Sequence, residues 1–115
     1  MSHSRNAPEY ALDALVEVRE STIHGRGLFA RCTIRRNQFI GTFEGPPARR
    51  DGMYVLWVYD DPSDADRAVG RIGRNALRFL NHAKPCNAVF DGFDLYASRK
   101  IREGDEITID YGGEP

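Results

Sequence analysis

Residues 78–88 read "RFLNHAKPCNA". Asn81 and His82 stand side by side behind the apolar Phe79–Leu80 pair, and the chain then runs into Lys84, Pro85, Cys86 and Asn87. Taken alone, this is a short helical turn that Asn and Pro bring to a stop. A single histidine near an apolar face is most often a hydrogen-bonded structural partner. Anything chemical about the Asn-His pair has to come from the rest of the chain.

The chain has 115 residues, which suits one domain. A chain of this size buries roughly 60–70% of its unfolded surface, enough for a core without staples. Its hydrophobic content of 41% is not that of a disordered polymer. Sixteen cationic and seventeen acidic side chains leave a net charge of −1, so no overall charge draws it to nucleic acid or to a membrane. The charges are uneven all the same. Arg26, Arg31, Arg35, Arg36, Arg49 and Arg50 make the first half basic, while Glu103, Asp105, Glu106, Asp110 and Glu114 make the end acidic. Such clusters are usually solvated faces, although an acidic rim also suits a basic peptide. Cys32 and Cys86 have no paired spacing, which argues against a disulfide framework or a zinc module and for a reducing compartment. The longest apolar run, "YVLWVY" at 54–59, is far short of a membrane span. The N-terminus has no apolar core of a signal peptide.

Outward from the Asn-His pair, the pattern is of short strands. "LVEVRE" at 15–20 alternates, with Val16 and Val18 on one face. "LFARCTI", "FIGTF" and "MYVLWVY" are aromatic or β-branched runs, the last of them the strongest. "FDLYAS" puts Phe93, Leu95 and Ala97 on one side, and "ITIDY" puts Ile107, Ile109 and Tyr111 on another. "EGPPARRDG" is a loop by its Gly and Pro content. Ser63 followed by Asp66 resembles a capping box and predicts a short helix that Gly70 and Gly73 limit. The first residues are polar, and 1–12 is expected to be flexible. The fold class that results is mostly β with short helices, in one domain.

Three chemical readings fail on context. Gly25, Gly27 and Ala30 satisfy a permissive dinucleotide fingerprint, but strand-like residues follow where that motif needs a helix. A tight turn, or backbone left bare for a ligand, is what remains. Cys86 and His82 share one local segment with no evident third residue to orient them, so a buried thiol is preferred to a nucleophile. His3, His24, His82 and the two cysteines lack ligand spacing, and no metal is expected. Tyr111 is different: on a buried face its hydroxyl needs a partner.

Read in order, these pieces resemble the SET domain of protein lysine methyltransferases. "STIHGRGLFA" at 21–30 is similar to that family's opening Gly-x-Gly segment, "IGTFEG" at 40–45 to its next strand and turn, and "GMYVLWVYD" at 52–60 to the strand with an aromatic donor-site residue. "GRNALRFLNHAKPCNA" at 73–88 resembles the family's Asn-His motif, and "ASRKIREGDEITIDYG" at 97–112 its closing Asp-Tyr-Gly motif. The five segments cover about residues 15–112.

The resemblance implies a β-clip-like fold of several small sheets with a C-terminal pseudoknot, spanning 13–113. It implies S-adenosyl-L-methionine as cofactor, held by Gly25, Arg26, Gly27, Tyr54, Asn81 and His82. Tyr111 maps onto the catalytic tyrosine, and Phe43, Phe90 and Ile109 onto the substrate channel; Phe43 and Phe90 read equally well as core. The activity implied is lysine N-methylation on a basic segment of a protein substrate, histones being the family's familiar targets. The location would then be cytoplasmic by default, and nuclear or in a host cell for a chromatin target.

The sequence also departs from the family. Ala83 stands for the usual serine, Lys84-Pro85-Cys86-Asn87 replaces the common loop, Phe43 stands where tyrosine is frequent and Ile109 where an aromatic is frequent. These changes leave the number of methyl groups open, and they motivate an alternative, a catalytically inactive SET-like module that binds peptide or cofactor. The family's cysteine-rich zinc tail is not expected. A partner subunit in a homodimer, the peptide itself or residues 1–10 would then close the channel.

Overall fold

A computed structural model of the chain describes residues 9–52, 54–59 and 68–110. Helix α1 (Glu9–Leu15) leads directly into strand β1 (Val16–Glu20). The helix begins ahead of residue 13, and Leu12 is part of the core. Strands β2 (Arg26–Ala30), β3 (Phe39–Thr42), β4 (Pro47–Ala48), β5 (Val55–Tyr59) and β6 (Ala68–Ile72) follow. A 3-10 turn at Ala76–Phe79 precedes β7 (Asn81–His82), β8 (Ala88–Asp91), β9 (Asp94–Ala97) and β10 (Glu106–Ile109).

These strands form three small sheets, in the orders β1-β2-β10-β7, β3-β9-β8 and β4-β6-β5. The mostly β class of several small sheets is the one the sequence predicts. Alternation placed β1, β9 and β10, and burial shows why: Leu95 and Ala97 of β9, Val16 of β1 and Ile107 and Ile109 of β10 belong to one core with Leu28, Ile34, Leu77 and Ile101.

The sequence reading did not foresee α1 over residues expected to be flexible, nor the short strands β4, β7 and β8, and two further elements differ from it. The predicted helix opening at Ser63 lies outside the described residues, and Gly70, expected to limit it, sits inside strand β6. That strand pairs with β5 in continuous antiparallel register, Gly70 opposite Trp57. The Trp57 ring lies over Gly70, where a Cβ would come within 2.7 Å of it. Covering by a cross-strand aromatic offsets the weakness of glycine in a strand, a term visible only once the two strands are paired.

The second difference is β10. Alternation assigns Ile107 and Ile109 to a buried face, and both are buried, but Thr108 between them is only 6% exposed. The strand is covered on both faces, and it is also internal to its sheet. β2 pairs antiparallel with one edge, Ile107 facing Leu28, and β7 pairs parallel with the other, Thr108 facing Asn81 and Ile109 facing His82.

Candidate functional site

The Asn-His stretch is held from two sides. Asn75 is buried, donates from Nδ2 to the Thr42 carbonyl at 2.7 Å and accepts from the Glu44 N–H at 3.5 Å. Arg78 Nη1 donates to the carbonyls of Arg74 and Asn75 at 2.8 and 3.0 Å. The helical turn therefore closes on itself and ends at Leu80, which is already extended at φ −61° and ψ 131°. Asn81 is thus a strand residue beside β10 and not the residue that stops the turn.

Beyond it, Ala83 N–H donates to the Ile109 carbonyl at 3.1 Å. Asn87 accepts from Thr108 N–H at 2.8 Å and donates to the Glu106 carbonyl at 2.9 Å. The unusual 83–87 loop is therefore fastened to β10 at both ends. Asp110, just after that strand, lies 3.6 Å from both His82 Nδ1 and Lys84 Nζ, within ion-pairing range but beyond a good hydrogen bond.

The Asn81 side chain ties three segments together. Its Nδ2 donates to the carbonyls of His24 and Arg26, both at 3.1 Å, and to Glu106 Oε2 at 2.8 Å. Three acceptors around one end of the amide identify that end as the nitrogen. The amide oxygen has no donor among the described residues. None of their buried side-chain N or O atoms lacks a partner, so this oxygen is not sealed in the interior.

Glu106 itself accepts from the Ser21 hydroxyl, at 2.8 and 2.9 Å to its two oxygens. Ser21 Oγ in turn accepts from the N–H of Ile23 at 2.9 Å. The result is a clasp around the 21–27 turn, in which Gly25 takes the left-handed φ of +46°.

Gly27 belongs to the same clasp. A Cβ there would collide with Glu106 Oε2 and approach Ser21 Cβ at 3.0 Å. Gly27→Ala is expected to swing the flexible carboxylate aside and free the Asn81 amide, lowering stability by about 1–2 kcal/mol. Thermal denaturation checks this, and an unchanged midpoint contradicts it.

One cavity opens beside this clasp, and a second adjoins it. The first, about 660 Å³, is lined by Gly25, Arg26, Tyr54, Phe79, Asn81 and His82 among others. The second, about 520 Å³, is lined by Phe43, Trp57, Leu77, Phe90 and Ile109 among others. Tyr54, Arg78 and Leu80 line both. These volumes are of the size that takes a small organic molecule, roughly 300–1,000 Å³.

In the first cavity Tyr54 and Phe79 meet edge to face at 6.1 Å and 71°, and bare backbone and an amide oxygen stand nearby. That set suits a ligand with a flat ring and an ammonium group. In the second, Phe43 and Phe90 meet edge to face at 6.1 Å and 83°, a wall suited to an alkyl ammonium.

The family model for the SET domain matches residues 25–112. The chain belongs to the SET domain family. Histone-lysine N-methyltransferase MEDEA of Arabidopsis thaliana is 29% identical to it over 112 residues, covering 80% of this chain and 16% of MEDEA. Histone-lysine N-methyltransferase 2B of Homo sapiens is 29% identical over 114 residues, covering 84% of this chain and 4% of that protein. The chain therefore spans a small part of either relative. A proposed histone methyltransferase of Plasmodium falciparum, solved by crystallography, superposes with a TM-score of 0.59 at 18% identity, covering 87% of this chain and 95% of that one. That likeness concerns the fold.

On this SET domain, the residues singled out in the sequence fall as follows. Gly25, Arg26, Tyr54, Asn81 and His82 come together around the first cavity. Gly27 packs behind it against Glu106. Phe43, Phe90 and Ile109 come together around the second. Tyr111 lies outside the described residues. Sequence reasoning did not single out Ser21, Arg78, Phe79 or Glu106. The signal available for Glu106 was an acidic side chain at the first position of a buried strand, where a carboxylate needs donors.

Proposed function

We propose that this SET domain is an S-adenosylmethionine-dependent protein-lysine N-methyltransferase acting on a lysine in a basic, histone-like segment. The observation that carries the proposal is the common wall of Tyr54, Arg78 and Leu80 between two cavities, the first with the Asn-His segment and the Tyr54–Phe79 pair, the second with the Phe43–Phe90 pair. Methyl transfer to an amine is an in-line displacement, so the two reactants have to enter from opposite sides and meet. Two cavities joined at a wall supply that alignment and remove much of the entropic barrier.

The lining fits the cofactor. The backbone at Gly25, Arg26 and His82 and the Asn81 amide oxygen would hold its methionine end, and Tyr54 with Phe79 would flank its ring. When bound, it supplies an electrophilic methyl group on a sulfonium.

The protein's own work is on the lysine. An amine with a reference pKa of about 10.4 costs about 4–5 kcal/mol to neutralise near pH 7. Phe43, Phe90 and Ile109 strip water from it, which favours the neutral form. Tyr111 orients the amine through its hydroxyl rather than acting as a strong base, since a phenol's reference pKa is near 10. In this reading the 81–87 segment and the stretch through Tyr111 form the C-terminal pseudoknot. The parallel β7–β10 pairing and the Asn87 bonds to β10 support it.

The test is incubation with labelled S-adenosylmethionine and a panel of basic proteins and peptides, histones included, read by mass spectrometry. A methylated lysine is the expected product. Cofactor binding without transfer to any member of the panel would leave an inactive binding module instead.

A further inference from the structure

The buried residues Ile34 and Ile101 meet in an antiparallel bridge, their N–H groups donating to each other's carbonyls at 2.8 and 2.9 Å. A second tie joins the same two stretches: Asn37 N–H donates to the Ala97 carbonyl at 2.8 Å, and Ala97 N–H to the Gln38 carbonyl at 3.0 Å. Between the ties run Arg35 and Arg36 on one side and Arg99 and Lys100 on the other, all of them exposed. The register of the bridge sets Arg35 opposite Lys100 and Arg36 opposite Arg99.

Like charges facing one another across paired chain segments are destabilising. The fold does not relieve them. Among the described residues no carboxylate lies within ion-pairing distance of these side chains. Of the acidic residues that follow in the chain, Asp105 turns back to accept from the Arg102 N–H at 3.1 Å. The net charge of −1 averages this side of the molecule with the acidic remainder. An anion laid across the four cations offsets the repulsion.

The chemistry of the patch narrows the partner. Guanidinium forks match phosphate oxygens. Among the described residues the exposed large apolar side chains are Ile23, Tyr54, Val69 and Val89, and none lies between the two ties. The patch therefore has no ring on which single-stranded bases could stack and no apolar wedge for a bilayer. We propose that Arg35, Arg36, Arg99 and Lys100 form a docking surface for the phosphate backbone of double-stranded DNA, read by charge and not by base sequence. None of the four lines either cavity, and the proposal does not depend on the methyltransferase reading.

The experiment is fluorescence anisotropy of a short labelled duplex of arbitrary sequence, titrated with the full chain over a series of salt concentrations. Log affinity for duplex DNA falls against log salt with a slope of about −0.9 per phosphate contacted, so four contacts give a slope of about −3 to −4. Arg35→Gln combined with Lys100→Gln is expected to bring the slope to about −2 and to weaken binding at low salt by about tenfold. Neither side chain is hydrogen-bonded among the described residues, so the melting temperature should not change. Arg49→Gln combined with Arg50→Gln removes the same charge from a different exposed loop and is expected to leave binding within about twofold.

Equal weakening by the two double variants would mean that only net charge is felt, and it overturns the proposal. The wild type supplies checks that do not depend on a variant folding. No binding to the duplex at low salt, or a slope shallower than about −1, refutes the surface. Affinity for a polyglutamate peptide or for phosphatidylserine vesicles that equals the affinity for the duplex assigns the patch to another polyanion, and overturns the proposal as well.

Discussion

Asn87→Ala is expected to destabilise the protein by about 2–5 kcal/mol, a large share of the 5–15 kcal/mol that holds a domain of this size together. The reason lies in the edge of β10. Strand β7 is two residues long and reaches only Thr108 and Ile109. The Asn87 side chain completes that edge like a further strand residue, accepting from Thr108 N–H and donating to the Glu106 carbonyl. Alanine leaves both backbone groups without their partner, in a strand whose residues 107–109 are buried, and each such group costs about 1–3 kcal/mol.

Asn87→Asp makes a sharper version of the test. It keeps the acceptor for Thr108 but sets a carboxylate oxygen against the Glu106 carbonyl, so it too is expected to destabilise, despite its near-identical shape. Equilibrium denaturation in urea reads both variants. Midpoints within error of the wild type would show that the loop carries no such function. Because β10 bears Ile109 and runs into Asp110 and Tyr111, the same variants should also lose activity.

The second large effect is on catalysis. Tyr111→Phe is expected to lower the turnover of methyl transfer by about 10²–10³, the cost of removing one positioned hydrogen-bonding group from a reacting centre. Affinity for S-adenosylmethionine should change by less than about twofold. The split follows from the proposed role: Tyr111 handles the lysine amine and leaves the cofactor to the 25–26 and 81–82 segments. Single-turnover transfer of labelled methyl to a confirmed peptide, beside calorimetry of the cofactor, separates the two quantities. A variant that turns over at the wild-type rate removes Tyr111 from the chemistry. One that loses rate and cofactor affinity together assigns it to the binding of the cofactor.

Both predictions turn on β10, and so does the difference between what the sequence discloses and what it hides. Five short segments in family order, closing on Asp-Tyr-Gly, are enough to place the chain among SET domains. Period-two alternation is enough to find β1, β9 and β10, since one face of each meets the core. Both signals are local, each complete within a few residues. The burial of Thr108 is not local, because it depends on segments that arrive from elsewhere in the chain to cover the second face, just as the pairing of the second edge depends on β7. Strand β6 was hidden for a related reason: Gly70 reads as a helix limit until the Trp57 ring of the neighbouring strand lies over it.

The candidate site divides in the same way. Gly25, Arg26, Tyr54, Asn81, His82, Phe43, Phe90 and Ile109 were all legible as members of motifs, but no spacing along the chain shows that they line two cavities with a common wall. Nor does it show that Ser21 and Glu106, 85 residues apart, close a clasp on Asn81 and the back of Gly27. The amino-acid sequence by itself determined the family, the strand pattern and the residue types available for chemistry, because these are set by side-chain identity and short-range periodicity. Only the tertiary structure decided which carboxylate meets which amide and which glycine must stay bare, because hydrogen bonds and steric contacts act over about 3 Å between segments that the chain holds far apart.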